Sequence, residues 1–312
     1  MIEEPKEPTI LVPIDYSPQS MAAYDYSKIL ARATGSSLTL LYIIEEPGFF
    51  AKKFLGKEQR AEIIHQAEGK LKELIANDHD LNENQILTHP VIRKGNVYRK
   101  IINLAHDTKP KLIIMGRTDS SNFKKNLTGT NTQHIVSEAK TPVITIKGSH
   151  EITTDDHILL PLDLTHPVKK KIAKAIEMAQ FLDARVSVLS VLQSNWLSKK
   201  IKFRKILEEI KRIFVKYQIS CDTNLMTAKK EPQAQIINQY ALDIKADLIM
   251  LMTHQEMNIH HYFIGSTAKK IIDESDLPVL SIIPDPELNL NIKHHLFKEI
   301  VDPLQVFGKL DK

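Results

Sequence analysis

One segment of the chain occurs twice, and this internal repeat limits the possible folds more than any other feature of the sequence. Residues 9–15 read TILVPID and residues 157–163 read HILLPLD, so Pro13 and Asp15 recur 148 residues later. At 312 residues the chain is long enough for two domains that each bury a core. The repeat therefore predicts two copies of one domain.

Short apolar runs alternate with helical patterns within each copy. In the first copy, strands are predicted at 9–15, 38–44, 86–92, 112–115 and after Pro142, and helices at 18–34, along 64–75, from Val97 and from Gly129–Thr130. Five strands alternating with four helices form a parallel sheet under the right-handed crossover rule. The predicted fold class is α/β, with two tandem doubly wound five-stranded sheets covered by helices on both faces.

The repeat also predicts the domain boundaries. Gly265–Ser266 match Gly129–Thr130 at an offset of 136, which indicates a twelve-residue insertion in the first copy at or near 47–59. We predict domains at 1–148 and 157–286, a polar linker at 149–156, and a C-terminal tail at 287–312.

The insertion mixes aromatic and basic residues, among them Phe49, Phe50, Phe54 and Leu55. It leaves the second predicted strand at its carboxyl end. Three roles stay open from the sequence: a lid over a ligand, a contact with another subunit, or an anchor on its own domain.

Composition excludes several classes of protein. The 42 basic and 38 acidic residues are well mixed, and no basic stripe carries interleaved aromatic residues, so we expect no nucleic-acid partner. The longest apolar runs fall short of a membrane span and the N-terminus has no signal core, so we expect no membrane partner. A single cysteine, Cys221, fits a reducing compartment and a packed thiol, and we predict a cytoplasmic location.

Polar residues follow the first and fourth predicted strands at the edge where ligands bind in open α/β sheets. Asp15 and Gly116 should meet there, with Asp15 accepting a hydrogen bond from an adenine or ribose group. Backbone amides around Gly129, Thr130 and Thr132 are suited to phosphate, because the first amides of a helix lack partners within it. The alternative is that Asp15 only supports the turn into the first helix and that the glycines satisfy loop geometry.

Other catalytic motifs are missing from the sequence. Neither a GxxxxGK[ST] loop nor a GxGxxG fingerprint occurs, and no nucleophile with a matching base is evident. His254, His260 and His261 lie close together but lack partner cysteines. We therefore predict no catalytic residue and no metal ligand.

The loop after the fourth strand resembles the nucleotide-binding loop of the universal stress proteins of the UspA type. That family has a glycine, two residues, a glycine, nine residues, and a glycine followed by Ser or Thr. Here Gly116, Asp119 and Gly129–Thr130 keep the spacing, with Asp119 in place of the second glycine. The resemblance covers about residues 8–147 and 155–284, in the arrangement of the tandem form of the family, and it implies a Rossmann-like fold of the adenine nucleotide alpha hydrolase-like kind.

The resemblance also implies a ligand and its site. It places Asp15 at the adenine-contacting aspartate and the backbone of Tyr42–Ile43 beside adenine, and the ligand is ATP or another adenine nucleotide. The complete set of candidate binding residues is Pro13, Asp15, Ile43, Met115, Gly116, Arg117, Asp119, Gly129, Thr130, Asn131 and Thr132.

Asp119 brings a negative charge toward the phosphates. Three consequences are open: weaker nucleotide binding, a carboxylate that turns away, or a carboxylate that helps to hold a divalent ion such as Mg²⁺ against the phosphates. Arg117, Lys124 and Lys125 in the same loop can offset the charge. In the second copy Met252 and Gln255 replace the first two glycines, and we expect them to fill the phosphate space.

These residues predict a tandem universal stress protein that binds an adenine nucleotide in its N-terminal domain. It would act as a stress-response or signalling module without strong catalysis, with the second domain mainly structural or interactive. The alternatives are a slow metal-dependent ATPase and an interaction scaffold that binds no nucleotide. The resemblance also implies pairing of the two domains through their last strands, and a homodimer is a further expectation.

Overall fold

The chain forms two compact units, residues 1–151 and 152–312, in a computed structural model. The structure describes residues 7–45, 57–117, 130–148, 157–166, 168–193, 196–228, 231–253 and 264–283. The predicted linker at 149–156 and the predicted tail at 287–312 lie outside these residues and stay predictions.

The N-terminal unit contains five strands and five helices among its described residues. They are β1 (Thr9–Ile14), α1 (Pro18–Thr34), β2 (Ser37–Ile44), α2 (Lys57–Ala76), α3 (His79–Glu83), β3 (Thr88–Lys94), α4 (Val97–Thr108), β4 (Leu112–Gly116), α5 (Thr130–Glu138) and β5 (Val143–Ile146).

The C-terminal unit repeats the pattern without a counterpart of α3. Its elements are β6 (His157–Pro161), α6 (Lys169–Phe181), β7 (Arg185–Leu192), α7 (Leu197–Lys216), β8 (Cys221–Thr227), α8 (Gln233–Asp243), β9 (Leu248–Met252), α9 (Ser266–Glu274) and β10 (Val279–Ile282).

Each unit has a parallel five-stranded sheet in which the first three strands are added toward one edge and the last two toward the other edge. The order is β3-β2-β1-β4-β5 in the first and β8-β7-β6-β9-β10 in the second. Within each sheet the paired strands are parallel, as for Ile10 beside Leu112 and Ile158 beside Leu248. The predicted doubly wound α/β fold is confirmed, and the switch point lies between β1 and β4 and between β6 and β9.

The ends of α1 follow from its sequence. Ser17 accepts a hydrogen bond from the Ser20 amide through its side chain, and Pro18 occupies the first turn. Gly35 ends the helix in a left-handed conformation with φ of 61°. The predicted helix at 18–34 is confirmed.

The prediction of four helices in the first copy was wrong, because the structure adds α3. In the strand registers Thr88 pairs with Leu38, and Cys221 pairs with Val186. Val186 lies 148 residues after Leu38, whereas Cys221 lies 133 after Thr88. Between its second and third strands, the first copy is therefore 15 residues longer than the second copy, and not twelve. Part of this insertion forms α3 after α2, so the insertion does not lie wholly at 47–59. Residues 46–56 lie outside the described part of the chain.

The core of each unit consists of strand residues and the inner faces of the helices. The inner face of α7 is buried at Phe203, Leu207, Ile210, Ile213 and Phe214. Cys221 is buried as well, and burial together with the nearby Asp222 carboxylate raises the pKa of its thiol to about 12. The thiol is therefore protonated at neutral pH. Within the described residues, none of the helices is long and apolar enough to cross a bilayer.

His157 at the start of β6 is a buried titratable group of the C-terminal unit. Its Nε2 lies 2.7 Å from the Ser187 hydroxyl, and its backbone N–H donates to Asp247 at 2.9 Å. Burial and the Arg185 guanidinium hold the pKa of His157 below its ordinary value of 6.5, although Asp247 opposes them. The imidazole is therefore neutral in the folded protein at neutral pH.

We expect the free energy of unfolding to fall as the pH drops below about 6.5. Below this pH the imidazole of His157 binds a proton in the unfolded chain more readily than in the folded protein. The slope approaches about 1.4 kcal/mol per pH unit for one proton. In His157→Gln, which keeps a neutral hydrogen-bonding group, this part of the slope should disappear. Urea unfolding of both proteins between pH 5 and 8 measures it, and identical slopes would contradict the assignment.

Candidate functional site

A cavity of about 210 Å³ opens at the switch point of the N-terminal unit. It lies at the carboxyl ends of β1 and β4, beside the start of α5. Its lining combines residues from β1, β2 and β4 with the first turns of α1, α4 and α5. The lining residues are Pro13, Ile14, Asp15, Ser17, Gln19, Ser20, Leu41, Ile43, Glu45, Val97, Ile101, Met115, Gly116, Asn131 and Thr132.

Seven of the eleven candidate residues meet at this cavity. They are Pro13, Asp15, Ile43, Met115, Gly116, Asn131 and Thr132. Asp119 and Gly129 lie outside the described residues, and their roles stay predictions. Thr130 begins α5.

Asp15 leaves the end of β1 and also shapes the turn into α1. Its Oδ1 accepts a hydrogen bond from the Ser17 amide at 2.9 Å, and its own amide donates to the Ser20 hydroxyl at 3.3 Å. Burial raises the pKa of Asp15, but hydrogen bonds from Ser17 and Ser20 outweigh it and the pKa lies below its usual value. The carboxylate is therefore ionised at neutral pH, and the turn uses Oδ1.

The start of α5 supplies hydrogen-bond donors to the same cavity. The first amides of a helix have no partner within it and carry the positive end of its dipole. Asn131 and Thr132, which line the cavity, belong to this first turn. This end of the cavity is thus suited to an anionic group, whereas Asp15 and Glu45 make the β1–β2 side negative.

Gly116 is required by packing as well as by the cavity that it lines. A Cβ atom at this position would lie 2.3 Å from the Gln19 carbonyl carbon, 2.4 Å from its oxygen and 2.7 Å from the Ser20 nitrogen. The first turn of α1 therefore crosses the end of β4 at a distance that only glycine permits.

Arg117 directly follows Gly116 in the chain but does not line the cavity. Arg117 is 5% exposed. Its backbone amide donates a hydrogen bond to the Ile146 carbonyl at 2.8 Å. Tyr42 contacts Tyr16, with ring centroids 5.6 Å apart, while Ile43 beside it lines the cavity. The structure thus brings Ile43, and not Arg117, to the proposed site.

The C-terminal unit has an equivalent cavity of about 230 Å³. It is lined by Pro161, Leu162, Asp163, Lys171, Leu189, Val191, Gln233, Ile237, Leu251, Met252, Gly265, Ser266, Thr267, Ala268 and Ile271. Met252 occupies the position of Gly116, yet it lines the cavity without closing it. Whether Met252 fills the phosphate space stays a prediction, and Gln255 lies outside the described residues.

Asp163 forms the same turn as Asp15. Its Oδ1 accepts from the Thr165 amide at 2.9 Å and from the Thr165 hydroxyl at 2.6 Å. Burial raises the pKa of Asp163, but these hydrogen bonds lower it below the usual value. The repeated turn shows that this aspartate supports the entry into the first helix of each unit.

Two charged residues at the cavities were not predicted from the sequence. Glu45 lines the first, directly after β2, and Lys171 lines the second, in the first turn of α6. Burial lowers the pKa of Lys171, although the Asp163 carboxylate opposes it. The run Lys169–Lys171 was visible in the sequence, but only the fold shows which of the three lysines reaches the cavity.

Two doubly wound units, each with a cavity at its switch point, define a tandem Rossmann-like α/β protein. The model of the Universal stress protein family matches residues 8–147 and 156–282. The chain therefore belongs to the universal stress protein family, in its tandem two-domain form.

Individual relatives agree with this assignment. Universal stress protein MJ0577 of Methanocaldococcus jannaschii is 22% identical over 151 residues, covering 44% of this chain and 93% of that protein. A solved universal stress protein from Archaeoglobus fulgidus is 17% identical with a TM-score of 0.68, over 89% of this chain and 97% of that one. At this identity the likeness shows the fold alone.

A further solved universal stress protein from Archaeoglobus fulgidus is in complex with dAMP. It is 20% identical, covers 43% of this chain and 100% of its own, and has a TM-score of 0.34. An adenine nucleotide is thus bound by a member of the family.

Proposed function

We propose that the N-terminal unit binds ATP or another adenine nucleotide in the cavity beside β1, β4 and α5. The observation that carries this proposal is the convergence of Asp15, Ile43, Gly116, Asn131 and Thr132 on one cavity at the switch point. The dAMP complex belongs to another protein, and we base the nucleotide site of this chain on its own residues. The protein would act as a stress-response or signalling module without strong catalysis.

The two sides of the cavity suit the two ends of a nucleotide. Pro13, Ile43 and Met115 offer apolar contacts to a base, and the ionised Asp15 accepts a hydrogen bond from an adenine amino group or a ribose hydroxyl. The α5 amides with Asn131 and Thr132 favour the phosphates. This orientation keeps the phosphates away from the carboxylates of Asp15 and Glu45.

A divalent ion such as Mg²⁺ would reach this site with the phosphates. Among the described residues, no group of three His, Cys, Asp or Glu side chains is arranged to hold a metal. The ion would therefore be bound mainly through phosphate oxygens and water, as is usual for Mg²⁺. Whether Asp119 contributes a ligand stays a prediction.

We propose a mainly structural or interactive role for the C-terminal unit. Its cavity is lined by the bulky Met252, at the end of β9, and by Lys171. Both features differ from the N-terminal unit, where Gly116 and Ala23 stand at the corresponding positions. Pairing of the two units through their last strands, a homodimer and a cytoplasmic location also stay predictions.

Asp15→Ala tests the proposed site, with Asp163→Ala as its matched control. Each substitution removes the turn hydrogen bond of an ionised carboxylate, at a cost in stability of about 1.5–3 kcal/mol, and Asp163→Ala also loses the bond from the Thr165 hydroxyl. A hydrogen bond to a charged group contributes about 1.5–3 kcal/mol, so Asp15→Ala should weaken ATP binding at least about tenfold. Asp163→Ala should leave the affinity unchanged.

Isothermal titration of the full-length chain with ATP measures these effects. If Asp163→Ala alone lowers the affinity, the site lies in the C-terminal unit and the proposal is wrong. Mass spectrometry of the gently purified protein, followed by a phosphate-release assay, separates the alternatives. Bound nucleotide without release supports a binding module, release indicates a slow ATPase, and the absence of both indicates a scaffold.

A further inference from the structure

The first turns of α7 expose three large apolar side chains. Leu197 is 72% exposed, Trp196 immediately before the helix is 71% exposed, and Ile201 is 48% exposed. Leu197 and Ile201 are four residues apart and share the outward face of the helix. The opposite face of the helix is buried through Phe203, Leu207 and Ile210, so the helix that carries this exposed apolar surface is packed firmly on the C-terminal unit.

The same part of α7 is strongly basic. The first acidic residue of the helix is Glu208. Five basic residues lie within its first nine positions, and they are Lys199, Lys200, Lys202, Arg204 and Lys205. The first turn contains no acidic residue, and the side chain of the N-cap residue, Trp196, does not accept a capping hydrogen bond from the helix. The positive end of the helix dipole thus meets further positive charge, which is unfavourable without an anionic partner.

We propose that this surface, residues 196–205, docks on a bilayer that contains anionic phospholipids. Trp196, Leu197 and Ile201 would enter the boundary between headgroups and acyl chains, where tryptophan is favoured. The flanking lysines and Arg204 have stems long enough to keep their charges at the phosphates. Lys199 already lies with its Nζ 5.7 Å from the centre of the Trp196 ring.

The combination of apolar and basic groups favours a lipid surface over other anions. A nucleic-acid strand would use the basic residues and stack on Trp196, but it would leave Leu197 and Ile201 in water. A bilayer accommodates all three apolar side chains and the charges together. The proposal departs from the expectation of no membrane partner, which followed from the lack of a spanning segment and does not concern docking at the surface.

Trp196 provides a direct probe, because the protein has one tryptophan. The full-length protein is titrated with vesicles of phosphatidylcholine containing 30% phosphatidylglycerol and with vesicles of phosphatidylcholine alone. We expect a blue shift of Trp196 emission, and quenching by brominated acyl chains, with the anionic vesicles alone. Binding should decrease as salt is raised, since the charges lie at the surface.

Two variants separate the charged and apolar parts. Each lysine near an anionic membrane contributes roughly fivefold to the affinity, so Lys199→Gln combined with Lys202→Gln should weaken binding roughly 25-fold. Leu197→Ser combined with Ile201→Ser should weaken it at least tenfold and reduce the blue shift. Val215→Ser is the matched control, since Val215 is 56% exposed on the same helix beyond the basic segment, and it should bind normally.

Thermal unfolding should be unchanged in these variants because every substituted side chain is exposed. Absence of binding to the anionic vesicles would overturn the proposal. So would equal binding to both kinds of vesicle, or equal loss in Val215→Ser. Binding of a fluorescent oligonucleotide with no response to vesicles would identify nucleic acid as the partner and would also overturn it.

Discussion

Replacing Lys28 with methionine is expected to destabilise the N-terminal unit by about 3–5 kcal/mol, the usual cost of removing one partner of a buried ion pair. Lys28 on α1 is 8% exposed. Its Nζ lies 2.9 Å from Asp78, 3.1 Å from Asp25 and 3.2 Å from Asp80. The side chain of Asp78 is buried to a similar extent, so the variant leaves an uncompensated carboxylate inside the protein.

Asp78 also holds the short helix α3 in place. Its Oδ1 accepts from the Leu81 amide at 3.2 Å, which caps α3. Burial raises the pKa of Asp78, but the hydrogen bond from Lys28 leads the contributions that lower it, and the pKa lies below the usual value of 3.8. In Lys28→Met that contribution is lost, so the fall in stability as the pH drops below the ordinary carboxyl pKa of 3.8 should be smaller than in the unaltered protein.

Unfolding followed by two signals assigns the loss to one unit. Far-ultraviolet circular dichroism reports both units, whereas the emission of Trp196 reports the C-terminal unit. Lys28→Met should shift the first signal and leave the tryptophan transition in place. Lys174→Met is the control, because Lys174 pairs with Glu177 at the surface of α6 at 2.7 Å and should cost less than about 1 kcal/mol.

A double variant tests the reason for the loss. In Lys28→Met combined with Asp78→Leu no buried charge is left without a partner, so part of the stability should return. If the double variant is as unstable as the sum of the two single variants, the pair does not act as a coupled unit.

The short helix α3 shows why part of the fold could not be predicted from the sequence. Strand runs and the signals at Ser17 and Gly35 are local, and they gave the main elements correctly. The sequence of α3, HDLNE, is too short to show helical periodicity. Its support comes from Lys28, fifty residues earlier, and such tertiary contacts are not visible in a local pattern.

The candidate site was predictable to a similar degree. Asp15 and Gly116 end parallel strands that flank the switch point, so their meeting follows from topology. The packing role of Gly116 depends on how closely α1 approaches β4, which no spacing reveals. The charges of Glu45 and Lys171 at the two cavities likewise depend on side-chain placement. The cavities therefore share a position in the fold and differ in their electrostatics.

Gly116→Ala is expected to destabilise the N-terminal unit by about 3 kcal/mol, the upper part of the usual range for overpacking. The new methyl group would lie 2.3 Å from the backbone of Gln19, and backbone cannot rotate away as a flexible side chain would. The first turn of α1 must shift, and the turn formed by Asp15 and Ser17 shifts with it. ATP affinity should therefore fall together with stability.

The C-terminal unit shows the arrangement that a side chain at this position requires. Met252 replaces Gly116, and α6 begins at Lys169, three residues after the repeat counterpart of Pro18, which is His166. The helix start is thus displaced where the strand carries a side chain.

Gly69→Ala in α2 is the control, because nothing lies within 4 Å of its added methyl group, and it should stabilise by about 0.5–1 kcal/mol. Urea unfolding and ATP titration of both variants measure these effects. An unchanged midpoint of urea unfolding in Gly116→Ala would show that α1 shifts with no loss of stability and that packing does not require the glycine.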